Sequence, residues 1–389
     1  MLDMRFEDFA YFPALRARQA EMRALTEMDD ERLDQILPMM TLGGWVPAQE
    51  TRRAVDRIGD LMRGRPYLLN VGSPHQPAGD SVAPLFDPAQ AFLAWRSFVG
   101  DLEGAIPVMQ FETRGDRRAL VRQAVLVERV LGRLAFRVRH PETEIEQVLG
   151  ALHALDDTDN AVVYLDCGYL RGALFESWRV LTQALIRLRM AYPDLIVVML
   201  GTSFPASVQQ FSLSALGPMG AMGTMGTMGT GGAQRGVLEI QERSLHARLG
   251  GNALVAYGDY GALHPQPRPT ADGSDWTARI DYPKETSWVF HRRLNDQSRA
   301  GYAMVASALM ASEPGMGELD CWGERMIVEA AQGEVFARGP AAWLAVRINI
   351  HLARQVELSM RPSPARIIGG RGQEPLEWHE CGVEDLLEA

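Results

Sequence analysis

Eight short apolar runs, each ending in a polar or glycine-flanked tip and separated by helical patterns, constrain this chain more than any other feature. The last, Leu254-Val-Ala-Tyr-Gly-Asp-Tyr-Gly261, shows the form most plainly: a buried strand that stops at an aspartate between glycines. Before it come Tyr11–Arg16, Ile36–Leu42, Tyr67–Gly72, Ala105–Phe111, Leu134–Arg139, Ala161–Asp166 and Leu195–Leu200. Ala161–Asp166 and Leu195–Leu200 are apolar on both faces, as strands covered on both sides must be. Between the runs lie helical patterns at 21–28, 50–62, from Asp87-Pro88 onward, 116–131, 142–155, 173–190 and 237–249. Asp87 is placed to cap and Pro88 to occupy the first turn, and Gly132 and Gly250-Gly251 stop their helices.

Strand-then-helix alternation implies parallel strands joined by right-handed crossovers. Eight such units predict a (β/α)8 TIM-like barrel over residues 1–262, with an open doubly wound sheet as the alternative. No Gly-x-Gly-x-x-Gly follows the first strand, which argues against a dinucleotide-binding sheet. A Met-Gly-rich loop insert at 217–232 separates the seventh strand from its helix. After the barrel, Trp276–Tyr282 and Ser287–Arg292 predict a β-hairpin turning at Pro283-Lys284. Helices over 298–311, 320–331 and 341–360 then supply the eighth barrel helix and a helical extension, so 263–361 completes the barrel and packs on it. The segment 362–389, rich in Pro, Gly and charge, reads as a loosely packed tail.

Composition narrows the function. No apolar run reaches the ~20 residues that span a bilayer, and the N-terminus lacks a basic stretch followed by an apolar one, so a cytoplasmic location is expected. Cys167, Cys321 and Cys381 have neither zinc nor redox spacing. The net charge of −10 disfavours broad binding to duplex DNA but leaves room for a narrow arginine-lined site. Cations are almost all arginine, Lys284 being the only lysine, and the skew runs through the whole chain. No P-loop, nucleophile elbow or His-Glu-x-x-His motif occurs, and no cofactor is indicated.

Parallel strands place their tips on one rim, where barrel enzymes carry their sites. Asp166 and Asp259 end otherwise apolar strands, so each must be solvated or paired. Together with Glu112 they form a candidate catalytic set, able to do acid–base work or to hold a divalent cation. Arg137 and Arg139 alternate with Phe136 and Val138 and are expected inside the barrel, since arginine turned toward packed helices is costly. Arg16, Asn70, Arg137, Arg139 and Tyr260, with Arg292 on the hairpin, are candidate ligand-binding residues for a phosphate-bearing group. His75 reads as solvated, and His291 and His351 as satisfied core histidines.

The run Tyr11-Phe-Pro-Ala-Leu-Arg-Ala-Arg18 with Glu21 and Leu25, then Ile36-Leu-Pro38, resembles the opening of the beta protein family of phages, prophages and bacterial mobile elements. The Gly258-Asp-Tyr-Gly261 tip, His264-Pro265, Ala278–Tyr282, Trp288–Arg292, Trp322-Gly323, Gly339–Trp343 and His351 are similar to its later pattern. Near Trp322 that pattern would read Gly-Asp, where this chain has Gly323-Glu324. The resemblance covers nearly the whole chain. It implies a role beside phage or mobile-element genes, in antiphage defence, with a neighbouring gene's protein as a possible partner. It implies no settled reaction. Three functions remain open at this level: a ligand- or partner-binding barrel, a metal-dependent phosphodiester or nucleotide hydrolase on the rim, and a scaffold whose helical extension at 298–360 binds a partner chain.

Overall fold

The computed structural model describes residues 4–43, 51–72, 82–111, 117–208, 234–266 and 277–361. The Met-Gly insert, the 362–389 tail, Glu112, His75 and Cys381 lie outside them.

Two four-stranded parallel sheets carry the mixed α/β fold. One holds β1 (Ala14–Arg16), β2 (Met39–Leu42), β3 (Tyr67–Val71) and β4 (Ala105–Pro107), in that order. The other holds β5 (Leu134–Val138), β6 (Ala161–Tyr169), β7 (Ile196–Thr202) and β9 (Ala256–Asp259). Between β7 and β9 along the chain, β8 (Gln234–Glu239) leaves that sheet. It joins β10 (Ala278–Pro283) and β11 (Ser287–Arg293) in an antiparallel sheet ordered β10-β11-β8. Helices separate the parallel strands: α1 (Gln19–Thr26), α2 (Asp30–Leu33), α3 (Thr51–Met62), α4 (Ala89–Gly100), α5 (Arg117–Leu131), α6 (Pro141–His153), α7 (Leu174–Ala191) and α8 (Glu242–Arg248). Three more follow the hairpin: α9 (Arg299–Ser312), α10 (Trp322–Ala331) and α11 (Pro340–Met360). No described helix is long and apolar enough to cross a membrane.

The strand near 237 corrects the sequence expectation. The apolar spacing predicts one helix over 237–249, yet Val237–Glu239 pair with β11 and the helix begins only at Glu242. Leu238 and Ile240 are both buried, so the period-two pattern wins once β11 offers an edge to satisfy the backbone. Gly236 sits there because a Cβ would run into the Phe290 ring.

Side-chain alternation divides the interior in two. Leu134, Phe136 and Val138 of β5, like Val163 and Leu165 of β6, belong to a large core shared with the helices. Residues of opposite parity form a second core: Ala14, Met39, Leu68, Ile106, Ala135, Val162, Tyr164, Val198 and Leu200, drawn from both parallel sheets. Single links connect the two sheets. Met109 N donates to Ala135 O (2.7 Å) beside a parallel bridge between Val108 and Ala135, and Phe12 N donates to Tyr257 O (3.1 Å). Helix α11 packs on α1 and β10, and Arg243 of α8 reaches it through Gln355 (2.8 Å).

Gly258 lies where the segment leading into β1 packs against β9. A Cβ there would stand 2.6 Å from Phe12 O and 3.1 Å from Met199 O, and neither backbone atom can swing away. Gly258→Ala should therefore cost about 1–3 kcal/mol by overpacking. A lowered urea midpoint with an unchanged slope is the expected signature; an unchanged midpoint would mean that β9 has room to shift away from β1.

Candidate functional site

The parity of β5 that sends Phe136 and Val138 toward helices turns Arg137 to the second core, beside Ala135. The parity of β6 places Asp166 on the same face as Val162 and Tyr164. Just past Asp166 the pairing with β7 slips, from Asp166↔Leu200 to Gly168↔Gly201, and Gly168 adopts φ +64°. This bulge bends the chain so that Gly168 N donates to Asp166 Oδ1 (3.0 Å). Tyr260, directly after β9, donates its hydroxyl to Asp166 (2.7 and 2.8 Å to the two oxygens) and accepts from Arg137 Nη2 (3.0 Å). Arg137 Nε donates to Asp166 Oδ2 (2.9 Å). All three residues are buried.

Burial alone would push the Asp166 carboxyl up. The Arg137 and Arg139 guanidiniums outweigh it and hold the group below the usual carboxylate range. Arg139 stands 3.7 Å from the same oxygen with its side chain 40% exposed. The like charge of Arg137, together with burial, lowers the Arg139 pKa. Arg16 ends β1 on the face of Ala14 and is electrostatically coupled to Tyr260; burial lowers its pKa, while Glu21, 4.0 Å away, opposes that. Asn70 lies nearby in register with Thr41 and donates to its hydroxyl (3.2 Å). The cluster therefore gathers Arg137 and Arg139 around the Asp166 carboxylate, while Arg16 stands beside Glu21 and donates from Nη2 to His264 O (2.5 Å).

Asp259 is not part of this group. It shares the parity of Tyr257, which lies in the helix-facing core. Its carboxylate accepts from Tyr11 (2.5 Å), Tyr257 (2.8 Å) and Gly261 N (2.8 Å), and lies 2.7 Å from His351 Nε2 on α11. Burial again raises the carboxyl pKa, and His351 with the hydrogen bonds carries it below the ordinary value. Asp166 and Asp259 thus have separate partners on opposite sheet faces. No cluster of three metal-ligating side chains occurs among the described residues. Glu112 lies outside those residues. Arg292 sits on the antiparallel sheet, opposite Arg279, with Nε on Gln234 (3.1 Å).

Glu21, Asp281 and Arg347, three further buried charged residues, were missed from sequence. A signal existed for Arg347, a cation inside the apolar run Ala345-Val-Arg-Ile-Asn-Ile350. Nothing local distinguishes Glu21 on its short helix.

Residues 11–357 match the family model described as "Beta protein". The chain belongs to the Beta protein family. It is also similar to "Protein beta" of Enterobacteria phage P4, with 32% identity over 355 residues, covering 91% of this chain and 95% of that protein. The family span opens at Tyr11, a donor to Asp259, and closes beyond His351, the other long-range partner of that carboxylate. A phage protein is therefore among the relatives of this Beta protein family member.

Proposed function

We propose that this Beta protein family member binds a phosphate- or carboxylate-bearing ligand on the C-terminal rim of one closed eight-stranded barrel. In this reading it serves in antiphage defence as a binding component, with a neighbouring gene's protein as partner. Closure is supported by the two backbone links between the sheets, by the second core drawn from both, and by α11 lying against both α1 and α8.

The observation that carries the ligand reading is the charge imbalance at the rim. Two guanidiniums, Arg137 and Arg139, face the single Asp166 carboxylate in a chain whose net charge is −10. Arg137 takes the short contacts to Asp166, which leaves half-exposed Arg139 with only a distant share of that charge. An incoming anion would relieve the repulsion between the two arginines and be held by charge-assisted hydrogen bonds.

Titration with inorganic phosphate tests this. Binding should weaken with salt, and Arg139→Gln should reduce affinity by about fivefold to tenfold, as loss of one partly exposed charge contact does. Equal affinity in the folded variant would remove the rim arginines from the ligand site. Phage plating on cells carrying the gene with its native neighbours tests the wider role: protection should fall in Arg139→Gln.

A further inference from the structure

Beside the rim, a groove of about 1280 Å³ opens between α1, residues 204–208 and the start of α11. Met22, Leu61, Phe204 and Leu344 give it apolar walls. Its charge is one-sided: seven arginines line it against two acids, Glu21 and Asp60. Arg23 and Arg63 are neutralised from outside, by Glu27 (2.6 Å) and Asp30 (3.0 Å). Others are poorly matched. Arg279 and Arg347 share one oxygen of Asp281, each at 2.8 Å. Arg16 meets Glu21 only at 4.0 Å. Arg57 donates to the Arg53 carbonyl (3.2 Å) and pairs with no carboxylate among the described residues.

A second groove, of about 830 Å³, is lined by Met360 and Arg361, where α11 ends. Both grooves reach Thr26, the last residue of α1. Together they give a surface path from the end of α11 back to its beginning.

Beyond Arg371 the sequence holds six acids, from Glu374 to Glu388, and no arginine or lysine. Leu376, Trp378, Val383, Leu386 and Leu387 are interleaved with them. Acids alternating with apolar side chains complement a groove of apolar walls and underpaired guanidiniums. The lengths agree. Helix α11 measures about 24 Å from Leu344 to Met360, and a chain from Arg361 to Glu374 can span up to about 40 Å.

We propose that the acidic segment 374–388 of this chain docks in the arginine-lined groove, its carboxylates on Arg16, Arg57 and Arg279 and its leucines on the apolar walls. Neither Arg137 nor Arg139 lines the groove, so the proposal stands apart from the rim anion site.

Cys381 lies within the segment, and disulfide trapping in the full chain is the test. Ala206 and Ala341 are exposed residues of the groove, so a thiol at either should leave folding intact. Under mild oxidation at least one of Ala206→Cys and Ala341→Cys should give an intramolecular disulfide to Cys381, mapped by mass spectrometry. Val130 on α5 is 73% exposed and lines neither groove; Val130→Cys should be trapped about tenfold more slowly. Replacing Glu377, Glu380 and Glu384 by glutamine should slow trapping at the groove about fivefold, the loss of a few exposed ion pairs. Equal rates at the groove and at Val130→Cys overturn the proposal, as does trapping that the glutamines leave unchanged. A groove disulfide that forms only between two chains also overturns it and assigns the segment to a second copy. No groove disulfide at either site overturns it and leaves the groove to an acidic partner.

Discussion

Asp259→Ala should lower folding stability by about 3–5 kcal/mol, the penalty for breaking a buried, fully paired charge. The carboxylate holds the Tyr11 and Tyr257 hydroxyls, Gly261 N and His351 Nε2, all within 2.5–2.8 Å. Alanine would strand two phenols and an imidazole in a space with no other acceptor supplied, and each lost bond to a charged acceptor is worth about 1.5–3 kcal/mol before relaxation. The partners come from three distant parts of the chain: the segment before β1, β9 itself and α11. The residue therefore ties the first strand and the last helix to β9. Asp259→Asn keeps the shape but only one accepting oxygen, so its loss should be smaller. Because the folded carboxyl titrates below its unfolded value of about 3.9, this stability is present above that pH and fades as pH falls through the folded value. Urea unfolding at neutral pH gives the measurement. A variant with wild-type stability that fails to bind phosphate would reassign Asp259 from the scaffold to the ligand.

Arg137→Met should cost a similar amount, about 3–5 kcal/mol at neutral pH, for the complementary reason: it leaves Asp166 buried with its main cation gone. The pH dependence has a definite sign. In the native protein the Asp166 carboxyl is held below the usual range, so its contribution is intact above about pH 4 and is lost as pH falls through the folded value. Without Arg137 the largest opposing charge is gone, so burial weighs more and the same carboxyl titrates higher than in the native protein. The variant is then most handicapped at neutral pH, and the penalty shrinks as acid protonates the buried group. Urea midpoints of both proteins at about pH 7.5 and about pH 4.5 should therefore converge toward the lower pH. Arg139, 3.7 Å away, can move in and would place the loss at the lower end of the range. A gap that widens on acidification would show that Asp166 is not the group left uncompensated. Arg137→Met/Asp166→Leu should recover part of the loss, since an apolar pair of similar volume avoids both desolvation costs.

The strands were legible because each carries its own signal. Ala161–Asp166 and Leu195–Leu200 announce themselves as continuous apolar runs, and the structure extends them to Tyr169 and Thr202. Arg137 was legible through parity: two arginines alternating with apolar residues must choose one face, and desolvation excludes the helix side. Residues 237–239 were misread because Val237, Ile240 and Leu245 fit a helical period about as well as a strand. The edge that decides between them is β11, whose Ser287 pairs with Glu239 from far along the chain.

From order and periodicity alone, the chain determines its β/α alternation, the parallel strands, the hairpin after residue 276, and the strand face to which Arg137 turns. These are local properties, set by period-two and helical patterns and by the cost of burying a charge. Only the tertiary structure decided that Asp166 and Asp259, two aspartates at similar strand tips, have different surroundings. One parity step turns the first toward Arg137 and Tyr260, and the second toward Tyr11, 248 residues away, and His351, 92 residues away. It also brought Glu21 and Arg347 to one groove from helices at opposite ends of the chain. Such meetings depend on how the chain ends return to one another, and no local pattern encodes that distance.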